Sequence, residues 1–271
     1  MAPSACSAVR STALAQARAE RQAPAWRTWL GLEQRLHEGV DGGPHGRVLV
    51  PLAPDDDAVA GVLRSALAAV GSDAFAEAGL SKDTLLVELS VLAVVPKAAA
   101  QPPHLDVLPR DGLSMATLFV PLQDVSAANG ATVLYPAPPD EVASRRDWAT
   151  LQKGTDRTFS PDGTEDADAA AVQAEAAGFL PPVASPWARF SEVDLGLGKP
   201  ECMEMGAGDA LLMDYRCFHR GGANASGDLR CVMYATFSED AAGGDHLSYS
   251  MAATAQTCRL GEFLALAEDA P

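Results

Sequence analysis

The chain has 271 residues, of which 48% are hydrophobic and 21% charged, and this indicates one globular domain rather than two separate cores. Its 20 basic and 36 acidic residues give a formal net charge of −16, which argues against a nucleic acid or an anionic membrane surface as partner. No run approaches the roughly 18 apolar residues that a membrane-spanning helix needs.

The N-terminal 40 residues are rich in Ala and Arg and predict a helix. Arg10 and Arg18 occur there with no acid before Glu20, so an organelle-targeting segment is an alternative to an ordinary helix. Five widely spaced cysteines without a CxxC pair indicate neither a disulfide framework nor a zinc knuckle. We therefore expect a reducing, cytoplasmic location, with the targeting alternative open.

A second helix is predicted after the break at Asp41–Pro44, whose sequence is Asp-Gly-Gly-Pro. Three acids at 55–57 precede apolar residues that recur with helical spacing from Val59 to Val70. The acidic start and Gly71 as the stop are typical helix-end signals. Residues 1–80 are thus predicted to form a helical support.

From Thr84 onward the pattern changes to short strand-like runs, rich in β-branched and apolar residues and flanked by Gly, Pro, Asn or Asp. These runs are Thr84–Val95, Met115–Leu122, Ala131–Tyr135, Asp209–His219 and Arg230–Phe237. They predict a mainly β domain with sheet-on-sheet packing and helices outside it. We assign the β core to residues 84–135 and 201–238, and a closing segment with a helix over Arg259–Ala267 to residues 239–271.

Residues 136–200 differ from their surroundings, being rich in Pro, Gly, Ala and acids and showing no sustained period apart from a short candidate helix over Asp166–Ala177. A loop of this length inside one domain is usually functional or a linker. A lid over the site and a solvated linker both stay open. The 12 acids against six bases between Asp140 and Glu201 disfavour a strongly anionic substrate such as an acyl-CoA.

The residues that predict chemistry are His104, Asp106 and His219. In a strand, positions i and i+2 point to one side, so His104 and Asp106 would face the same spot. His219 is expected at the end of a strand, before a Gly-Gly bend. Two His and one carboxylate form the facial triad that leaves positions open on Fe(II). Arg230 opens the next run, and a hairpin over Gly221–Leu229 would return it beside His219, where it could bind a carboxylate in bidentate fashion.

The neighbours of His219 are interpreted from strand alternation. Cys217 shares the parity of His219, so it is either a residue that faces the pocket or, as we expect, a small buried hydrophobic residue. Asp214 and Arg216 have the opposite parity and are expected to form an ion pair or to contact solvent. Arg220, next to the predicted metal ligand, is a candidate substrate contact.

Taken together, His104-Leu105-Asp106, the ANGAT element at Ala128–Thr132 and the segment Gly208–Arg230 resemble the phytanoyl-CoA dioxygenase-like family of Fe(II)- and 2-oxoglutarate-dependent oxygenases. The fungal alkaloid and meroterpenoid members look closest, because they share a Gln three residues before the first His and a Thr in the NGAT element. The resemblance implies a double-stranded β-helix (a jelly-roll, cupin-like fold) that binds Fe(II) and 2-oxoglutarate. The residues that it assigns are His104, Asp106 and His219 as metal ligands, Arg230 as the clamp for the C5 carboxylate, and Gln101 and Thr132 as further cosubstrate contacts.

The chain departs from the family pattern where substrate is recognised, at Leu105, at Tyr135–Pro138 and in the long 136–200 segment, so the family's substrates are not carried over. We expect hydroxylation of an unactivated C–H bond of a small molecule by O2, with release of succinate and CO2; desaturation and cyclisation stay open. One alternative is a zinc-dependent hydrolase, which would leave Arg230 and Gln101 unexplained. Another is a metal-binding but inactive β-helix module.

Overall fold

A computed structural model of the chain describes residues 3–21, 47–98, 100–101, 112–135, 199–240 and 258–268. Within these ranges the strands are β1 (Arg47–Pro51), β2 (Leu85–Val94), β3 (Met115–Pro121), β4 (Thr132–Tyr135), β5 (Glu201–Cys202), β6 (Leu211–Asp214), β7 (Phe218–Gly221) and β8 (Arg230–Ser238). The α-helices in the same ranges are α1 (Pro3–Arg21), α2 (Asp57–Val70), α3 (Ser72–Glu77) and α4 (Leu260–Glu268). None of these helices is long and apolar enough to cross a membrane.

The strands form two antiparallel sheets. The larger has five strands in the order β1-β2-β8-β3-β6, and the smaller has three in the order β5-β4-β7. The prediction of a mainly β domain with helices packed outside is confirmed. The helical support also contributes a strand that was not predicted, because β1 pairs with β2 at the edge of the larger sheet.

The helices cover one face of the five-stranded sheet. Val59, Val62, Leu63, Ala66 and Leu67 of α2 are buried, which confirms the amphipathic pattern. They share a core with apolar residues of α1, α4 and the outer face of β2, β3 and β8. The Asp56 carboxylate caps α2 by accepting hydrogen bonds from two backbone N–H groups, and Gly71 ends the helix at φ 83°.

The other face of the five-stranded sheet, which we call the inner face, packs against the three-stranded sheet. Phe119 of β3 and Val232 of β8 form an apolar cluster with Ala131, next to β4, and Leu134 of β4 packs against it. Residues alternate between the faces of a strand. The even-numbered residues of β8 therefore lie on the inner face and the odd-numbered ones under the helices.

The prediction of one strand over Asp209–His219 is wrong, because β6 and β7 are separated by a turn at 215–217. The Asp214 carboxylate accepts hydrogen bonds from the backbone N–H and the guanidinium of Arg216, while the Cys217 N–H donates to the Asp214 backbone oxygen at 2.9 Å. These contacts close the turn. The predicted ion pair between Asp214 and Arg216 does form, at 2.6 Å.

The predicted hairpin over Gly221–Leu229 is also wrong. Strand β7 pairs with β4 in the smaller sheet, whereas β8 lies between β2 and β3 in the larger one. A strand buried on both faces is most stable at the centre of a sheet, where both of its edges find partners. Residues 222–229 therefore cross from one sheet to the other. The segment 136–198 lies outside the described residues.

Candidate functional site

The inner face presents Arg230 at the start of β8. This side chain is fully buried, and its Nε, Nη1 and Nη2 atoms have no hydrogen-bond partner among the residues that the structure describes. Burial lowers the pKa of the guanidinium, and this effect outweighs the opposing influence of Tyr234 and Cys231. A buried guanidinium is destabilising unless an acceptor pairs with it. The site therefore suits an anion with two oxygen acceptors.

His219 faces the same interior from the opposite sheet. It lies in β7 opposite Leu134 and is 6% exposed. Its ring meets the ring of Phe119 edge to face, with centroids 6.3 Å apart. Its Nδ1 lies 3.2 Å from the backbone oxygen of Cys217. A proton donated from Nδ1 to this oxygen leaves the lone pair of Nε2 for a metal ion.

Gln101 and Thr132 both meet β7 at Gly221, two residues after His219. The Gln101 backbone N–H donates to the Gly221 oxygen at 2.9 Å, and the Gly221 N–H donates to the Gln101 side-chain oxygen at 3.0 Å. Thr132 is buried and stands opposite Gly221 in the β4–β7 pair. Since the Gln101 oxygen is engaged in this way, its amide NH2 is the group able to donate to a carboxylate.

Two glycines bring the ANGAT element against the bend after β7. Gly130 has φ +90°, and a Cβ on it would lie 2.6 Å from the backbone oxygen of Gly222. A Cβ on Gly222 would in turn lie 2.7 Å from the Ala131 oxygen. Only glycine allows two backbones to approach this closely. The Asn-Gly and Gly-Gly pairs thus hold β4 beside the strand of His219.

Asn224 is a supporting residue that the sequence reasoning missed. It is fully buried, and its Nδ2 donates to the backbone oxygens of Val94 at 3.0 Å and Asp228 at 2.8 Å. Its Oδ1 accepts from the backbone N–H and the hydroxyl of Ser226 at 3.1 and 2.6 Å. Val94 is the register partner of Arg230. Asn224 therefore ties the crossover between β7 and β8 to the strand beside Arg230. Its only sequence signal is an Asn among small residues in a turn-like segment.

The structure brings part of the predicted site together. His219 and Arg230 line one interior, and Gln101 and Thr132 flank the strand of His219. His104 and Asp106 lie outside the described residues, and within the described part of the chain no three metal-binding side chains form a group. Arg220 follows His219 in β7, so strand alternation directs it to the other face of the smaller sheet. Its role as a substrate contact stays a prediction.

Cys217 is half-buried, packs against the apolar cluster around Phe119, and has its thiol pKa raised mainly by burial. This agrees with the small hydrophobic residue that the sequence predicted.

No protein-family model matches the chain, and no curated protein matches it in sequence. Several solved structures show a distant likeness. The non-heme α-ketoglutarate-dependent epimerase SnoN from nogalamycin biosynthesis shares 18% identity over 79% of this chain and 72% of its own, with a TM-score of 0.43. The carbocyclase SnoK from the same biosynthesis shares 18% identity over 79% and 73%, with a TM-score of 0.46. HygX from Streptomyces hygroscopicus, with nickel and 2-oxoglutarate bound, shares 14% over 79% and 76%, with a TM-score of 0.41. At these identities and TM-scores the likeness assigns neither a family nor a reaction to this chain.

Proposed function

We propose that this protein is an Fe(II)- and 2-oxoglutarate-dependent oxygenase of a small molecule, built on a double-stranded β-helix of the phytanoyl-CoA dioxygenase-like type. The observation that carries the proposal is the fully buried guanidinium of Arg230, which has no hydrogen-bond partner among the described residues and shares an interior with His219. A buried cation is costly to keep unless a ligand uses it. A dicarboxylate that reaches from a metal on His219 to Arg230 provides that use.

In the proposed site, Arg230 binds the far carboxylate of 2-oxoglutarate through charge-assisted hydrogen bonds, which are strengthened where water is excluded. Gln101 and Thr132, which flank the strand of His219, are candidates for further contacts to the cosubstrate. The backbone of Arg230 is held in place by β2, because Val94 of β2 is its register partner and accepts a hydrogen bond from Asn224. The protein thus fixes the cosubstrate in one orientation before any reaction begins.

His219 would hold the metal together with His104 and Asp106. A proton donated from Nδ1 to the Cys217 carbonyl would leave Nε2 as the atom that holds the metal, and the ring of His219 meets that of Phe119 edge to face. When bound, Fe(II) with 2-oxoglutarate supplies oxidation of a C–H bond by O2, with succinate and CO2 as co-products. Asp106 completes the ligand set that favours hydroxylation over halogenation.

Segment 136–200 is proposed as a lid that recognises the substrate, and its acidic excess favours a neutral or cationic molecule. Shortening it should abolish coupled oxidation of a substrate. Slow conversion of 2-oxoglutarate should persist, since the proposed metal and cosubstrate residues lie outside the segment. A shortened enzyme that still oxidises its substrate fully would identify the segment as a linker.

The proposal is tested by measuring Fe(II)-dependent conversion of 2-oxoglutarate to succinate under O2. Wild type should convert it slowly without substrate, and His219→Ala should not. Arg230→Ala should keep iron binding but raise the 2-oxoglutarate requirement, with a binding loss of about 2–5 kcal/mol. Arg259→Ala, which removes an exposed arginine paired with Asp83 just before α4, is the matched control and should behave as wild type.

The outcomes also separate the alternatives. A zinc hydrolase would release no CO2 from 2-oxoglutarate, and an inactive binding module would bind 2-oxoglutarate without converting it. Conversion that does not depend on His219 or Arg230 would contradict the proposed site.

A further inference from the structure

The first two residues of β8, Arg230 and Cys231, extend past the end of β3. The last register pair between these two strands is Pro121 with Val232. On its other side β8 keeps a strand partner, since Val94 of β2 is in register with Arg230. Among the described strands, only β2 therefore borders the start of β8. The backbone groups there that point away from β2 need other hydrogen-bond partners.

These partners come from beyond the end of β3 and from helix α1. The Leu122 N–H donates to the Cys231 backbone oxygen at 3.0 Å, as the next residue of a strand would. The Cys231 N–H donates at 3.3 Å to the side-chain oxygen of Gln123, where a longer β3 would offer a backbone oxygen. The Leu229 backbone oxygen accepts a hydrogen bond from Nη2 of Arg10 at 3.3 Å. Two side chains therefore take the place of a strand at the start of β8.

Arg10 reaches β8 from α1, which is fixed in the core under the larger sheet. Three residues of this helix are buried there: Cys6, Val9 and Ala13. The Arg10 side chain also hydrogen-bonds to the thiol of Cys231, which is fully buried. Burial raises the pKa of this thiol, and the hydrogen bond with Arg10 is the largest influence that opposes the rise. Arg10 therefore contacts both residues that flank Arg230, Leu229 at its backbone and Cys231 at its side chain.

We infer that Arg10, together with Gln123, is a positioning residue that holds Arg230 where 2-oxoglutarate binds. This inference rests on the proposed function, in which Arg230 anchors the cosubstrate. The nitrogens of the Arg230 guanidinium have no hydrogen-bond partner among the described residues. Its direction before the ligand binds is therefore set by its backbone and by packing. A bidentate pair with a carboxylate needs close alignment, and a misplacement of about 1 Å can cost about 100-fold.

The test measures the Kd of 2-oxoglutarate by calorimetry, with the full-length protein loaded with Fe(II) and without O2. Arg10→Met should raise this Kd by about 5- to 50-fold. Val9→Ala, at the preceding position of α1, is the matched control. It removes buried apolar volume, so it should lower the Tm but leave the Kd as in wild type. A rise in Kd in Val9→Ala equal to that in Arg10→Met would overturn the inference, because a loss of stability would then explain the weaker binding.

A double-mutant cycle determines whether Arg10 acts through Arg230. In an Arg230→Met background, Arg10→Met should change the Kd by less than about twofold. A loss as large as in the wild-type background would overturn the inference, because Arg10 would then affect the ligand by another route. Gln123→Leu is the second variant, and it leaves α1 intact. It should also raise the Kd, and an unchanged Kd in Gln123→Leu would likewise contradict the inference.

Two further measurements separate this inference from the proposed function. Substrate-free, Fe(II)-dependent conversion of 2-oxoglutarate to succinate under O2 is followed in wild type. Absence of this conversion, or a Kd that Arg230→Met leaves unchanged, overturns the proposed function. Conversion by wild type and a Kd that depends on Arg230, combined with a wild-type Kd in Arg10→Met, overturn this inference alone.

Discussion

Replacing Arg230 by Met should stabilise the protein when 2-oxoglutarate is absent and remove the stabilisation that 2-oxoglutarate provides. The guanidinium is fully buried and has no hydrogen-bond partner among the described residues. Because burial lowers its pKa, folding disfavours its charged form. Methionine removes the charge and keeps an unbranched, adaptable side chain that can fill the space.

The stability gained by removing the buried charge and the stability that bound 2-oxoglutarate adds to wild type should be of similar size. Exchanging buried ionic groups for apolar ones of similar volume stabilises proteins by about 1–4 kcal/mol. A gain of about 2 kcal/mol would raise the Tm of a chain this size by about 4–8 °C. At 100 times its Kd, 2-oxoglutarate should stabilise wild type by about 2.7 kcal/mol. If Arg230→Met weakens binding by at least about 2 kcal/mol, the same ligand concentration stabilises the variant by at most about 0.9 kcal/mol.

Calorimetric unfolding with and without 2-oxoglutarate, at constant metal, measures both effects. Arg259→Met is the control, since its exposed ion pair with Asp83 should contribute no more than about 1 kcal/mol and the response to 2-oxoglutarate should stay intact. A lower Tm for Arg230→Met in the absence of ligand would show that the folded chain compensates the guanidinium. A retained response to 2-oxoglutarate would assign the anchoring to another group, such as Gln101 or Thr132.

Three further predictions concern the supports of the site. Gly130→Ala should lower the free energy of unfolding, measured in urea, by about 1–3 kcal/mol or more, because φ is +90° and the added Cβ would meet a carbonyl oxygen. Gly61→Ala, in open space on α2, should instead raise the free energy of unfolding by about 0.5–1 kcal/mol, and equal effects of the two substitutions would refute the close-approach argument. Asn224→Ala should lower the free energy of unfolding by about 2–4 kcal/mol and weaken 2-oxoglutarate binding. A variant that binds 2-oxoglutarate as tightly as wild type would show that Asn224 does not support the position of Arg230. The hydrogen bond from the Thr84 hydroxyl is the largest cause of the lowered pKa of Glu239, so the stability that it adds should be present at pH 7 and lost as the pH falls below about 4. The free energy of unfolding of Thr84→Val, measured against pH, should lack this loss, and a pH dependence equal to that of wild type would contradict the prediction.

The sequence predicted those elements whose own residues determine them. Helix α2 has an acidic cap, a helical apolar stripe and a terminal glycine, and each of these signals is local. Strands β2, β3 and β8 were found because nearly continuous apolar runs ended at turn residues. The short strands β1 and β5 were missed, since two to five residues with no clear pattern become strands only through pairing with a neighbour.

The errors arose where tertiary structure overrode local pattern. The run before His219 reads as one strand, but the hydrogen bonds between Asp214 and Arg216 break it into two. The hairpin was inferred from chain proximity, whereas pairing is decided by where a doubly buried strand finds two partners. Asn224 was overlooked because its importance depends on the distant Val94, a contact that spans 130 residues.

Although the predicted topology was wrong, Arg230 still lies in the interior that His219 faces, because polar and apolar residues are divided between the two faces of the central strands. On β8, the face under the helices carries Cys231, Met233, Ala235 and Phe237. The inner face carries Arg230, Tyr234, Thr236 and Ser238 beside one Val. Strands β2 and β3 divide in the same way, with Glu88, Ser90 and Thr117 all on the inner face. Burying polar groups in a sheet that apolar residues could fill lowers stability unless they are well paired. The sharing of one face by such residues on three separate strands favours a site for a polar ligand on that face, as the proposed function requires.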